Sequence, residues 1–305
     1  MIAAMPTDGV HRLTLGDVPA LTPLVEAAVA AGDFAGSSDP RGNFFVRALD
    51  REPALVAVAW EHGQPVGLVS PDFKVLVVSA SSRRRGHGRR LVEAGLTIER
   101  ERHRADLFLG PPTGSAAALA FLVATGFAYH STLWELALPP DRLVPSPGWP
   151  AGLIARSFDR SRDVVPWVAL FNAAFAGHPT PLQVDEAGVI SFNDDPDVDD
   201  NDVLVLEDLA EGGALAGFCS TDPRRSNNVI GADGEIGTIG VRPDRQGRGL
   251  GRQLLRWGVS RLRNVGVSHV SLSVNGRNEG ALRLYEEEGF ARSSTRERWA
   301  RPVDA

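Results

Sequence analysis

Between residues 203 and 290 the spacing of apolar positions changes several times. Val203 to Leu206 and Ala214 to Cys219 are short apolar runs, and Glu235 to Val241 reads as a strand. A glycine-rich turn follows, Gln246-Gly247-Arg248-Gly249-Leu250-Gly251, and from it an amphipathic helix runs to a stop at Gly266. His269 to Val274 alternates as a strand does, and Asn278 to Tyr285 reads as a helix that closes on Gly289-Phe290. Strand, loop, helix, strand and helix in that order predict an α/β domain.

An earlier segment repeats this order. Lys74 to Ala80 is strand-like and Arg83-Arg84-Arg85-Gly86-His87-Gly88-Arg89-Arg90 is a basic glycine turn, with a helix from Leu91 onward. Leu107 to Leu109 then reads as a strand, and a further helix ends at Gly126-Phe127. The copies stand about 160 residues apart, a tandem duplication and not a short-period solenoid. The prolines from Pro139 to Pro150 deny that stretch both helix and interior strand, so the expected division is a first domain 1–139, a linker 140–150 and a second domain 151–305.

Composition narrows the classes. A chain of 305 residues has length for about two domains, and 43% hydrophobic with 23% charged residues is the balance of a soluble globular protein. A formal net charge of −6 argues against a nucleic-acid partner. No apolar run approaches the ~18 residues of a membrane span, and Met1 to Val10 has no signal-peptide pattern. The single cysteine, Cys219, excludes an internal disulfide and a cysteine-based zinc site. These features predict a cytoplasmic protein with no membrane partner and no metal.

The glycine turn carries the chemistry. A helix N-terminus has unpaired amide donors and the positive end of the macrodipole, and glycines let an anion approach the main chain. Gln246, Gly249 and Gly251 fill the places of the Gln/Arg-x-x-Gly-x-Gly/Ala loop, and Asn278, Ala281, Tyr285, Gly289 and Phe290 those of an Asn-x-x-Ala-x-x-x-Tyr-x-x-x-Gly-Phe helix. Together the two motifs resemble the GCN5-related N-acetyltransferase (GNAT) family.

That resemblance implies an α/β (α+β) fold of two tandem GNAT-like domains, each a mixed, twisted, mostly antiparallel sheet flanked by helices. It implies acetyl-CoA as acyl donor, its pyrophosphate held by Gln246, Gly247, Arg248, Gly249, Leu250, Gly251 and Arg252. The main chain at Ile239, Gly240 and Val241 would meet pantetheine at a strand bulge, with Asn278 and Ala281 along the same arm. Glu235 is the candidate base for the acceptor ammonium, and an exposed strand residue is the competing reading. Tyr285 is the candidate acid for the departing thiolate; it lies seven positions after Asn278, on the same helical face.

Superposing the glycine turns of the two copies places Lys74 opposite Glu235, Arg85 opposite Gln246, Gly88 opposite Gly249 and Arg90 opposite Gly251. The later helices place Ser115 opposite Asn278 and Leu122 opposite Tyr285. The first copy is therefore expected to be degenerate and catalysis to belong to the second. Arg83, Arg84 and Arg85 are read as a solvated basic turn, with phosphate pairing the alternative.

The run Phe171 to Pro179 resembles the corresponding segment of mycothiol synthases, tandem enzymes that acetylate the cysteine amine of a pseudodisaccharide. This directs attention to a small-molecule amine acceptor. Peptide N-terminal acetylation stays open, as does a non-catalytic acetyl-CoA sensor or interaction module. The acidic run Asn193 to Asp202 is read as a solvated loop, His178 as a turn residue and Cys219 as a buried small side chain. A monomer whose two domains pack as a pseudo-dimer is one expectation for assembly.

Overall fold

The computed structural model describes residues 8–33, 53–178, 183–193, 198–226 and 229–304. Residues 194–197 of the acidic run and Pro179 lie outside them. The chain forms two compact units, Met1–Leu133 with Thr295–Ala305 and Trp134–Ser294.

The first unit contains an antiparallel sheet in the order β1 (Gly9–Arg12), β2 (Ala57–Glu61), β3 (Gln64–Ser70), β4 (Val75–Val78). Helix α1 (Val18–Ala30) packs Leu21, Leu24 and Val25 into one core cluster with Val58 and Leu68. Helix α2 (His87–Glu101) packs Leu91, Val92 and Leu96 into another with Ala57, Ala59 and Val69. Then come β5 (Asp106–Leu109), α3 (Ala116–Ala124) and the start of β6 (Ala128–Leu138).

The second unit opens with β7 (Leu153–Ser157), α4 (Val164–Phe175) and α5 (Glu186–Asn193). Strands β8 (Val203–Asp208) and β9 (Ala214–Asp222) follow, then a short hairpin, β10 (Arg225–Ser226) with β11 (Val229–Ile230). The site-bearing elements are β12 (Asp233–Val241), α6 (Leu250–Asn264), β13 (His269–Asn275) and α7 (Glu279–Glu287), and β14 (Ala291–Pro302) ends the chain. The sheet runs β13-β12-β9-β8-β7; β12 and β13 are parallel and the other pairs of this series antiparallel.

Helix α6 forms because its apolar residues recur at helical spacing. Leu250, Leu254, Leu255, Gly258, Val259 and Leu262 make the buried face. Gly258 lets the helix press on the sheet, since a Cβ there would lie 3.1 Å from Cys219 Sγ and 3.2 Å from Ile236. Arg261 and Arg263 in the last turn complement the negative end of the helix dipole, and Gly266, with φ of 98°, ends the run.

The compact units differ from the expected division at 140–150. Strand pairing is the reason. Residues 299–302 of β14 pair antiparallel with β5, so the chain end belongs to the first unit. Leu136 and Leu138 of β6 are buried in the core of the second unit, beside Val270 and Leu272 of β13. Nor is the proline-rich stretch a loose spacer. Val144 and Trp149 pack against the second unit's core, and Gln253 Oε1 accepts a 2.8 Å hydrogen bond from the Gly148 amide.

Candidate active site

Strand β12 is divided into two parts by a bulge. Its register with β9 slips between Ile236 and Thr238, which leaves Gly237 without an opposite residue. Ser220 holds the irregularity in place: its Oγ accepts from the Thr238 amide at 3.0 Å and lies 2.7 Å from the Thr238 hydroxyl. The parallel pairing with β13 joins Asp233–Ile236 to His269–Leu272. Beyond Ile236 the β13-facing edge of β12 is outside that ladder. Ile239, Gly240 and Val241 lie on this segment, and Ile239 and Val241 pack against the same core cluster as Ala281 and Tyr285 of α7. The bulge is at Gly237. Gly240 serves packing instead, since a Cβ there would stand 2.1 Å from the Phe218 ring.

The turn after β12 is shaped by two left-handed glycines, Gly247 with φ of 73° and Gly249 with φ of 79°, and at neither would a Cβ meet another atom within 4 Å. Gly249 caps α6, and the helical bonds begin with Arg252 and Gln253 donating to its carbonyl. The amides of residues 247–251 precede that first turn, at the positive end of the helix. Residues of this kind fit a pyrophosphate. Two side chains of the expected set turn elsewhere: Gln246 Nε2 donates to the Val241 carbonyl at 3.0 Å, and Arg252 binds Glu287 and, at 2.6 Å, Glu288. They brace the loop; its main chain, with Arg248 exposed beside it, is what faces outward.

Helix α7 supplies the second wall. Asn278 is its N-cap, with Oδ1 accepting from the Ala281 amide at 3.2 Å, so only the side-chain nitrogen is left to donate to a ligand. Glu288 joins this helix to α6 by accepting from Arg252 and Arg256. Those guanidiniums hold its carboxyl below the usual carboxylate range, Arg256 most of all. Among the described residues no protein group hydrogen-bonds the Tyr285 hydroxyl, which is half-buried. Burial, and after it the neighbouring Cys219, pushes this phenol above the ordinary tyrosine value. It therefore keeps its proton across the neutral range.

Glu235 lies on the part of β12 before the bulge, opposite Asp222 of β9 and Ser271 of β13. Its Oε2 is 2.8 Å from Arg224 Nη2, and Ser273 Oγ donates to its Oε1 at 3.4 Å. Arg224 and Ser273 escaped the sequence reading. Ser273 had a signal, because β13 alternates and it shares a face with Ser271. Arg224 had none, since a positive φ of 47° just after β9 turns it back toward β12. His178 packs its ring edge-on to Phe175 at 5.6 Å, and Cys219 is buried, its thiol pushed up by that burial. Of the acidic run, Asp200 pairs with Arg160 at 2.5 Å and Asp202 with Arg261 at 2.9 Å.

The first unit is matched differently from what the glycine spacing suggested. Helix α2 begins at His87, capped by Gly86 with φ of 85°, so Gly86 and not Gly88 stands opposite Gly249. Gly88 then matches Gly251 and Arg83 matches Gln246. Arg83 Nε donates to the Val78 carbonyl just as Gln246 does to that of Val241. The loop spacing is thus complete in both copies. The arginines pair with carboxylates, Arg83 with Asp33 at 2.5 Å and Arg85 with Glu61 at 3.2 Å. Counting back, Val75 stands opposite Thr238 and Lys74 opposite Gly237, and before Lys74 the chain turns straight back into β3. The strand segment that carries Glu235 has no counterpart here, and Leu122 stands where the other copy has Tyr285.

Among the described residues no helix is long and apolar enough to cross a membrane. Residues 167–290 match the family described as acetyltransferase (GNAT). The chain is 31% identical to a mycothiol acetyltransferase of Sanguibacter keddieii, over 100% of this chain and 96% of that protein. Among solved structures, a GCN5-related N-acetyltransferase from Sphaerobacter thermophilus superposes with a TM-score of 0.66 at 22% identity, covering 98% of this chain and 97% of that one. A tandem GNAT protein from the clavulanic acid biosynthesis pathway superposes with a TM-score of 0.65 at 21% identity, covering 97% and 98%.

Proposed function

The chain belongs to the acetyltransferase (GNAT) family, and from that footing we propose that its second unit transfers acetyl from acetyl-CoA to the primary amine of a small acceptor, with a mycothiol precursor the first amine to test. The observation that carries this reading is the end of the β12–β13 pairing at Ile236, ahead of a turn of left-handed glycines at a helix N-terminus. An extended thioester with a pyrophosphate at one end suits that strand edge and loop.

The residues divide the work. The amides of residues 247–251 bind the pyrophosphate, and the side-chain nitrogen of Asn278 donates to the pantetheine arm as it passes Ala281. Glu235 accepts the proton of the acceptor ammonium, which at a pKa near ~10 is almost fully charged at neutral pH. The freed amine attacks the thioester carbonyl, and main-chain amides at residues 239–241 stabilise the developing oxyanion. Tyr285 donates its proton to the thiolate that leaves. A cofactor sensor would need neither Glu235 nor Tyr285. The first unit, without either group, is proposed to be non-catalytic.

The test is acetyl-CoA consumption by the full chain against a panel of amines, with cysteine-bearing sugars, polyamines and peptide N-termini as separate arms. Turnover confined to cysteine-bearing sugars supports the proposed acceptor. Binding of acetyl-CoA with no amine turned over would overturn the catalytic reading.

A further inference from the structure

Two arginines stand just before the glycine turn of the second unit, and carboxylates take up both. Arg245 Nη2 lies 2.5 Å from Asp208 Oδ2 and 2.5 Å from Glu211 Oε1, and Arg242 lies 2.6 Å from Glu211 and from Asp244. Asp208 is the last residue of β8 and Glu211 lies in the turn that follows it, whereas Asp244 belongs to the arginines' own turn. Strand β9 runs between β8 and β12, so Arg245 ties the turn after β12 to the end of a strand two places away. The Asp208 side chain is only 5% exposed, and its Oδ1 accepts from the Ala210 amide at 3.1 Å. Three carboxylates against two guanidiniums leave one negative charge next to a turn suited to an anion. The group therefore does not serve that turn by its charge.

The first unit makes the same connection with other side chains. Gly67 faces Val78, the last residue of β4, as Gly217 faces Val241, the last residue of β12. Glu61 ends β2 and faces Gln64, the first residue of β3, as Asp208 ends β8 and faces Ala214, the first of β9. Glu61 and Asp208 thus hold matching places. Ser82, which matches Arg245, donates to Glu61 Oε2 at 3.2 Å; Arg85 Nη1 is 3.2 Å from that oxygen and His87 Nε2 is 2.8 Å from Oε1. In each copy a carboxylate at the end of a strand grips the turn that precedes the helix. A chance surface ion pair has no reason to recur at the matched position in different chemistry.

We infer that Asp208 is a positioning residue for the glycine turn: through Arg245 it fixes where the amides of residues 247–251 stand, and so how tightly the second unit holds a pyrophosphate. This rests on the proposed acetyl-CoA reading of that turn. Gly247 and Gly249 have left-handed angles, and a Cβ at either would meet nothing within 4 Å, so the turn has little of its own to hold its shape. The charge-assisted bonds of Arg245 supply the missing constraint from the sheet. Amides ordered before the ligand arrives spare it the cost of ordering them.

The test titrates coenzyme A into the full chain by calorimetry and follows amide hydrogen exchange of the unliganded chain by peptide mass. Asp208→Asn keeps an oxygen for the Ala210 amide and sets an NH2 group against Arg245. If only the field mattered, loss of a negative charge would tighten coenzyme A binding. Asp208→Asn is instead expected to weaken it about tenfold, the scale of one hydrogen bond to a charged group, with the loss falling on the acetyl-CoA KM and not on kcat. Asp244→Asn removes the same charge without releasing Arg245 from β8, and so measures the field effect alone. Without ligand, residues 246–252 should exchange faster in Asp208→Asn, while residues 254–262 of α6 keep their wild-type rates. If Asp208→Asn does not fold, Arg245→Gln is read by the same exchange. Equal or tighter coenzyme A binding by Asp208→Asn, or unchanged exchange at residues 246–252, overturns the inference. A wild type that binds no coenzyme A overturns the reading of the turn instead, and the exchange comparison still decides whether Asp208 holds it.

Discussion

Arg224 Nη2 lies 2.8 Å from Glu235 Oε2, joining the chain just after β9 to β12. The partners are only partly covered, with side-chain exposures of 29% and 17%, so the pair can exchange with an incoming ammonium. Such a cation favours the charged form of its carboxylate. Arg224→Ala is therefore expected to move the acidic limb of the kcat/KM profile to higher pH while the acetyl-CoA Kd stays within about twofold. Glu235→Gln is expected to lower kcat by about 10²–10⁴, the usual yield of a general base. A Glu235→Gln enzyme with unchanged kcat would end the assignment.

Tyr285 answers a different question. Burial and Cys219 hold its phenol above the ordinary value, so it keeps its proton throughout the neutral range. Tyr285→Phe keeps the ring against Phe290 and removes only the hydroxyl. A loss of about 10²-fold in kcat with acetyl-CoA affinity nearly intact is the expected result, read from steady-state kinetics and direct titration. In the wild type, no alkaline limb of kcat below pH ~10 should belong to this residue, because a raised value delays loss of the proton.

Local order was legible because it is local. Two-residue alternation marked β13, a short strand-like run before the glycine turn marked β12, helical spacing marked α6, and the glycines of residues 246–251 adopt left-handed angles at Gly247 and Gly249. The long-range pairings were not. No pattern within residues 134–138 or 295–305 says which copy's core will take them, because a strand's partner is chosen by the rest of the sheet. Counting glycines misaligned the copies by two residues, since a positive φ at Gly86, not the number of glycines, sets where α2 begins. Arg224 pairs with a residue eleven positions away, a contact that no local pattern announces.

Gly240 tests the close packing between β12 and the Phe218 ring. An added Cβ would stand 2.1 Å from the Phe218 ring, which is itself fully buried and packed on Trp167 at 4.9 Å. Neither ring can withdraw freely. Gly240→Ala is expected to cost about 1–3 kcal/mol, the usual range for overpacking, and Phe218→Leu in the same chain should recover part of it. Urea unfolding of the single and double variants measures both. A Gly240→Ala protein as stable as the wild type would show that the ring moves aside.

Glu288 fixes α7 to α6, and through them Tyr285 to the glycine loop. Its side chain is 4% exposed and bound by Arg252 and Arg256. Glu288→Gln removes the carboxylate that Arg252 and Arg256 share; Arg252 keeps Glu287 and both guanidiniums are partly exposed, so the expected cost is that of weakened charge-assisted hydrogen bonds, about 1–3 kcal/mol. The folded carboxyl is depressed, so its contribution is present above the unfolded value of ~4.3 and is lost as pH falls through the folded one. Wild type and variant should therefore converge in stability toward low pH, as measured by denaturant midpoints from pH 7 downward.

Lys74 gives the opposite slope. Its ammonium is pushed down to about 8 by burial and by Arg298, whereas an unfolded lysine titrates near ~10.4. Between those values the unfolded chain binds the proton that the folded chain has released, so stability rises with pH across that window. Below pH 8 both states are protonated and the slope vanishes. Lys74→Met removes the group from both states, and the gain in stability of the wild type between pH 8 and 10 should disappear from the variant. Because the chain has no other lysine, the rate of Lys74 acylation against pH reports the same ionisation directly. A midpoint near 10.4 would show an ammonium no different from one in water, and the rise in stability would be absent with it.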